Sequence, residues 1–341
     1  MKGKYIALIV AGGLMVGGIG LGAAALATSA FNIENITTEE EQMEETFSIS
    51  ESFKNIRVES DSCNVEYHHA TDGKARVDIS VPKGFVYTAG VDNDTLKVTV
   101  RDERTWNLMI FSFSNPKVVV YLPGNEYADF YTEGNSGNVV VENGFLFDTA
   151  YVSLTSGNIK FSSDVKGNLD LSAKSGNVNC EDVNASNTRI EATSGNIKVA
   201  NLNTSELNAK NTSGNIIFNN IKAENVKIDG NSGNTSVEGA QVAKNLTSTR
   251  TSGGTKFDDV VVGGEINAKT SSGNIHLTGC DAAVLELNAS SGIISAELLT
   301  NKEITAHSSS GIVTLPGDDA GEKNGTLHAE TSSGNIKIKV K

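Results

Sequence analysis

Few side chains in this sequence have the types and spacing for chemistry. Acid pairs stand at Glu181-Asp182, Asp258-Asp259 and Asp318-Asp319. Two carboxylates flanking a glycosidic bond can act as general acid and as nucleophile or base. That chemistry would make the chain a carbohydrate-active enzyme. No basic or histidine partner recurs beside the pairs, and they fall between apolar runs, where a turn holds solvated acids. His68 and His69 are adjacent, but a metal site needs further ligands at suitable spacing, and the sequence offers none. They read as loop histidines. Cys63, Cys180 and Cys280 are too few and too far apart for a disulfide framework. The sequence therefore nominates no catalytic, cofactor-binding or metal-ligating residue, no cofactor, and no enzyme.

A regular polar feature remains. Thr155, Thr193, Thr212, Thr251, Ser271, Ser290, Ser309 and Ser332 each precede a Ser-Gly pair, with Lys174 and Asn231 interrupting the series. Such a hydroxyl stripe could face glycan, ice or protein, or be turn chemistry turned to solvent. Its spacing points to the elements that carry it. The serine of Ser-Gly falls at 136, 156, 175, 194, 213, 232, 252, 272, 291, 310 and 333. Steps of 19 or 20 residues, with a final step of 23, mark a solenoid. One such unit cannot bury a core alone, so neighbours must stack.

Counting from the Asn of Ser-Gly-Asn, the next residue is Val139, Ile159, Val178, Ile197, Ile216 or Ile275 in successive coils. Two further on come Val141, Phe161, Cys180, Val199, Phe218 and Leu277. Upstream, pairs such as Leu169/Leu171 and Leu285/Leu287 repeat the alternation. Period two is the signal of a half-buried strand, and glycine between the strands permits a positive φ. The expected fold is all-β: a parallel β-helix or solenoid of 19–20-residue coils. Ten steps of about 4.8 Å give a rod about 50 Å long. Stacked Asn side chains would form a ladder.

The remaining segments flank this rod. Residues 5–27 are apolar and could span ~34 Å as a helix, enough to cross a bilayer. Lys2 and Lys4 precede the run, and no cation follows until Lys54. This predicts an N-terminal transmembrane helix with residues 1–4 inside and all that follows outside. Ala25-Leu26-Ala27 also fits a signal-peptidase site, so residues 1–27 are a membrane anchor or a signal peptide. Residues 28–46 read as an acidic tether. Residues 47–133 read as an irregular β segment capping the solenoid, which fills residues 134–341. "SCNV", Ser62–Val65, is a worn Ser-Gly-Asn unit with Cys63 in the glycine place. Trp106–Phe113 reads as a buried cap strand or hairpin. Lys337, Lys339 and Lys341 on the last strand read as an edge protected from further pairing. With 41 acidic against 28 basic residues, nucleic acid is excluded as a partner.

The apolar N-terminal segment, the irregular β region and the "TSGNIxV" coils resemble the bacterial putative-adhesin domain of unknown function, including LiaG-like envelope proteins. The resemblance covers most of residues 47–341. It implies a bacterial surface protein of β-solenoid fold, in some cases tied to envelope stress, with no catalytic residues to carry over. The function expected is a non-enzymatic, single-pass, membrane-anchored β-solenoid. It would serve outside the cell as an adhesion or interaction surface for an unidentified envelope protein or glycan. The alternatives are an accessory of an envelope-stress sensing system and a carbohydrate-active β-helix enzyme.

Overall fold

The computed structural model describes residues 41–104, 115–317 and 321–341. Residues 1–40, Trp106–Phe113 and Asp318-Asp319 lie outside the described residues, so the expected membrane helix and cap hairpin lie there too. Among the described residues no helix is long and apolar enough to cross a membrane.

The chain folds as β1 (Gln42–Ile49), β2 (Asn55–Ser62), β3 (Asn64–His69), β4 (Ala75–Pro82), β5 (Phe85–Asp92), β6 (Thr95–Asp102), β7 (Lys117–Leu122), β8 (Glu126–Ser136) and β9 (Val139–Val141). Then follow β10 (Leu146–Ser156), β11 (Ile159–Phe161), β12 (Asp164–Ser175), β13 (Val178–Ser194), β14 (Ile197–Ser213), β15 (Ile216–Ser232), β16 (Thr235–Glu238), β17 (Gln241–Ser252), β18 (Thr255–Asp258) and β19 (Val261–Ser272). The chain closes with β20 (Ile275–Ser291), β21 (Ile294–Leu298), β22 (Asn301–Ser310), β23 (Val313–Thr314), β24 (Lys323–Ser333) and β25 (Ile336–Val340).

From β8 to β21 each coil lies parallel on the next, as the period predicts. Ser175, Ser194, Ser213 and Ser232 are direct partners along the stack. The alternation in β14 puts Ile197, Val199, Leu202, Leu207 and Ala209 inside, all buried. Each large side chain so buried contributes about 1.5–3 kcal/mol, and the side chains above and below complete its contacts. Phe130, Phe147, Phe161, Phe218 and Phe257 fill the wider parts of this continuous core.

Both ends depart from simple stacking. At the N-terminal end β2 lies between β6 and β8, and β3 between β7 and β9. The second winding therefore sits outside the first. Antiparallel strands finish this end: β5 covers β6, while β4 and then β1 extend β7. Strand β1 begins at Gln42, inside the segment read as tether, because Phe47 and Ile49 pack on the core.

At the other end the last coil is inserted. Strand β24 pairs with β20 on one side and β22 on the other. Strand β25 runs beside β21 and meets β23. The outermost coil is thus residues 301–315. The lysine-bearing edge expected for the final strand is therefore covered in part: Ile336 and Ile338 are fully buried, β25 lies against β21 along its whole length, and β23 meets it at Ile336 and Lys337, while Ile338–Val340 have no outer partner among the described residues. The 23-residue step between Ser310 and Ser333 is the sequence trace of the chain doubling back.

Candidate functional site

The polar residues that recur once per coil are chiefly corner-builders. Gly195 has φ +146°, and a Cβ there would stand 1.9 Å from the Gly176 carbonyl oxygen. Both constraints admit only glycine. The following Asn forms a ladder: Asn158 Oδ1 accepts the Asn177 backbone N–H at 2.9 Å and its side-chain amide at 3.1 Å. Asn177 and Asn196 repeat the arrangement. The worn unit joins in, because Asn64 Oδ1 accepts from Asn138 N at 2.8 Å and Ser62 pairs with Ser136.

The acid pairs Glu181-Asp182 and Asp258-Asp259 belong to a second corner. Asp182, Asn201, Asn220 and Asp259 have φ near +50 to +58°, and Gly239 and Gly279 continue the column. Asp and Asn tolerate this region because a short polar side chain can bond locally. Asn201 donates to Asp182 Oδ1 at 2.7 Å, and Asn220 donates to Asn201 Oδ1 at 2.7 Å. Asp182 and Asp259 stand on separate coils four apart, so no common substrate bond lies between them. Lys256 pairs with Asp258, and Lys198 with Glu181 at 3.0 Å.

The histidines are on strand β3, which corrects their reading as loop residues: β3 is held between β7 and β9. His68 Nδ1 lies 2.8 Å from Glu142 Oε2, and its Nε2 lies 3.0 Å from Glu66 Oε2. Lys117 Nζ adds a bond to Glu66 at 2.9 Å. Desolvation works against charge on His68, but the two carboxylates outweigh it and hold the imidazole above its usual range. Glu142 also accepts from the His69 N–H, and His69 stacks on Phe145 at 3.9 Å between ring centroids. This is a clamp joining two coils, and among the described residues no group of three or more His, Cys, Asp or Glu could hold a metal. The three thiols are free and buried; burial pushes Cys63 and Cys180 up to about 12 and Cys280 up to about 11.

One concave feature stands apart from these corners. A groove of about 870 Å³ runs along the rod from Leu146 to Gly263. Its floor is a column of small residues, Val165, Ala185, Thr204, Ala223 and Val242. Register shifts just beyond the floor, after Val165 and after Ala223, bend the strands away and leave the channel. One wall is Asp164, Asn184, Asn203, Lys222 and Gln241, bridged where Asn184 donates to Asp164 Oδ1 at 3.0 Å. The opposite wall includes Lys166, Ser186, Ser205 and Glu224. Lys166 reaches Asp148 at 3.0 Å, and that carboxylate holds it above the ordinary lysine range. Six steps between coils make the channel about 29 Å long.

A family model described as Toastrack DUF4097 matches residues 53–244 and again 238–341. The chain belongs to the Toastrack DUF4097 family. Solved structures similar to this Toastrack chain include a putative lipid binding protein from Parabacteroides distasonis, 16% identical, covering 74% of this chain and 97% of that one, TM-score 0.38. A putative adhesin from Bacteroides fragilis is 14% identical, covering 88% and 97%, TM-score 0.31. A putative cell adhesion protein from Clostridium sporogenes is 11% identical, covering 88% and 100%, TM-score 0.23. No curated protein matches the chain.

The hydroxyl stripe of this Toastrack solenoid is exposed throughout, from Thr155 to Ser332. It forms a ridge beside the glycine corner, and the groove lies on another face of the coil. The groove was missed in the sequence, although its signal is present. Ala185, Thr204, Ala223 and Val242 form a small-residue column, preceded by the polar column Asn184, Asn203, Lys222 and Gln241.

Proposed function

We propose that this protein is a non-enzymatic surface protein of the bacterial envelope whose solenoid holds an extended polymer, a glycan strand of the envelope, along its side. In this reading residues 1–27 anchor the chain in the membrane, the acidic stretch after them is a tether, and the rod stands outside the cell. The groove carries the proposal. It is long, shallow and straight, with an apolar floor for sugar-ring faces and amide, hydroxyl, lysine and carboxylate walls for hydroxyl groups. Asp182 is bonded into a corner, and Glu181 and Asp258 are paired with lysines, which supports binding over hydrolysis.

The test is a titration of the full-length chain with fluorescently labelled cell-wall glycan fragments of increasing length. Affinity should rise with length until the fragment fills the groove, and Ala223→Phe should weaken binding at least tenfold. Failure of every fragment to bind, or binding indifferent to Ala223→Phe, would overturn the reading. Release of shorter fragments during incubation would instead establish an enzyme.

A further inference from the structure

The two ends of the rod are finished differently. Antiparallel strands β1 and β5 close the N-terminal end. At the other end, among the described residues, β22 pairs only with β24 and β23 only with β25. The interior of the outermost coil is correspondingly open. Leu327 and Ala329 are buried, whereas Ile304 and Ala306, their direct partners, are half-buried. Val313 and Leu315 are 37% and 44% exposed, and Ile312 is 70% exposed.

Natural edges carry lysines, prolines, bulges or inward charges. Here such protection is confined to the start of β22, a register shift between Asn301 and Glu303 and the inward-turned Lys302, bonded to Asp281 at 2.6 Å. Thr305–Val313 beyond it has no Asp, Glu, Lys, Arg or Pro. Ile312 donates its N–H to Asn335 Oδ1 at 2.9 Å and, like Gly254 and Ile293 within the stack, offers no side-chain acceptor of its own. Head-to-tail stacking on another copy would meet the antiparallel closure at the far end. A twofold, tip-to-tip contact remains.

The residues of β22 fit such a contact. Antiparallel pairing of two copies centred on Thr305 sets Thr305 opposite Thr305 and Ile304 opposite Ala306. It sets Glu303 opposite His307, twice. Glu303, Thr305 and His307 all point outward, and Ile304 and Ala306 inward, so every pair shares a face. A carboxylate facing an imidazole that can donate to it, and apolar residues facing each other, favour this register. We infer that the protein pairs with a second copy of itself, tip to tip, by antiparallel addition of β22 to β22. The pairing seals both open cores. This inference does not depend on the groove or its ligand.

Cysteine cross-linking of the full-length chain tests it. Under mild oxidation T305C should give a disulfide dimer in high yield, while S205C, in the groove, should not. Without oxidant, Glu303→Arg should weaken self-association at least tenfold in sedimentation equilibrium, and Glu303→Arg with His307→Glu should restore it. Circular dichroism melts would verify folding, since the altered side chains are exposed. A chain monomeric at high micromolar concentration would overturn the inference. So would T305C linking no better than S205C, or linking to a different protein. Self-association indifferent to Glu303→Arg would overturn it as well.

Discussion

At the scale of single residues, the once-per-coil glycine answers to two constraints together, its positive φ and the carbonyl lying where a Cβ would be. Gly195→Ala should therefore cost about 3 kcal/mol or more in denaturant unfolding. Asn196→Ala removes ladder bonds at an exposed position and should cost about 1 kcal/mol. A reversed ranking would mean that the ladder, not the corner, sets the local stability. The His68 clamp makes stability depend on pH. His68 is held above the free imidazole value of about 6.5, so its contribution is complete below that value and is lost as pH rises through the folded pKa. Desolvation would raise Glu66, but His68 and Lys117 outweigh it and hold the group low. Its contribution is present above the ordinary glutamate range and lost as pH falls through the depressed pKa. The melting temperature should fall as pH is raised from 6 to 8, and His68→Gln should flatten that slope. An unchanged slope would exclude the clamp as its cause. The corner residues were legible because a turn motif is local. The clamp was not, because Glu142 reaches His68 from 74 residues away across the stack.

Elements are where the sequence was clearest and also where it misled. The strand alternation, the parallel register and the inward columns follow from a period of 19 or 20 residues. The order of coils at the ends does not, because the period tells which positions stack and not which coil lies on which. Side chains inside the stack settle that order. Lys302 on β22 is buried, and its ammonium contacts Asp281 on β20 at 2.6 Å, Thr300 at 2.8 Å and the Asn324 carbonyl on β24 at 2.5 Å. It ties three successive layers together. Lys302→Ala leaves the largely buried Asp281 without its cation, held only by the Thr300 hydroxyl and the Ala282 N–H, and should cost about 3 kcal/mol. Hydrogen exchange should then quicken across residues 301–315 and 323–341 together. Quickening confined to 301–315 would show that the inserted coil holds without this tie. Arg250 is a different buried cation: its guanidinium bonds Thr235 Oγ1 at 2.7 Å and Asn211 Oδ1 at 2.8 Å, and burial pushes it down to about 10. Gly230 leaves the room it occupies, since a Cβ there would stand 1.8 Å from its Nη1.

For the whole molecule, a stack whose coils touch only their neighbours has a stability that sums over interfaces. Deleting residues 323–341 would ordinarily remove one terminal coil. Here it removes the layer beneath coil 301–315 and the Asn324 carbonyl that Lys302 uses, so two coils should lose exchange protection. Protection persisting in residues 301–315 would show that this coil can settle directly on β20 and β21. The same arrangement has a consequence for the order of events during synthesis. Coil 301–315 is made before the coil it must rest on, and the matching serines and inward residues of β20 and β21 are the only seat then on offer. The rod can be completed only once residues 323–341 have been made and have taken that seat. The tip therefore matures only after residues 323–341 have been made, although its own residues precede them in the chain.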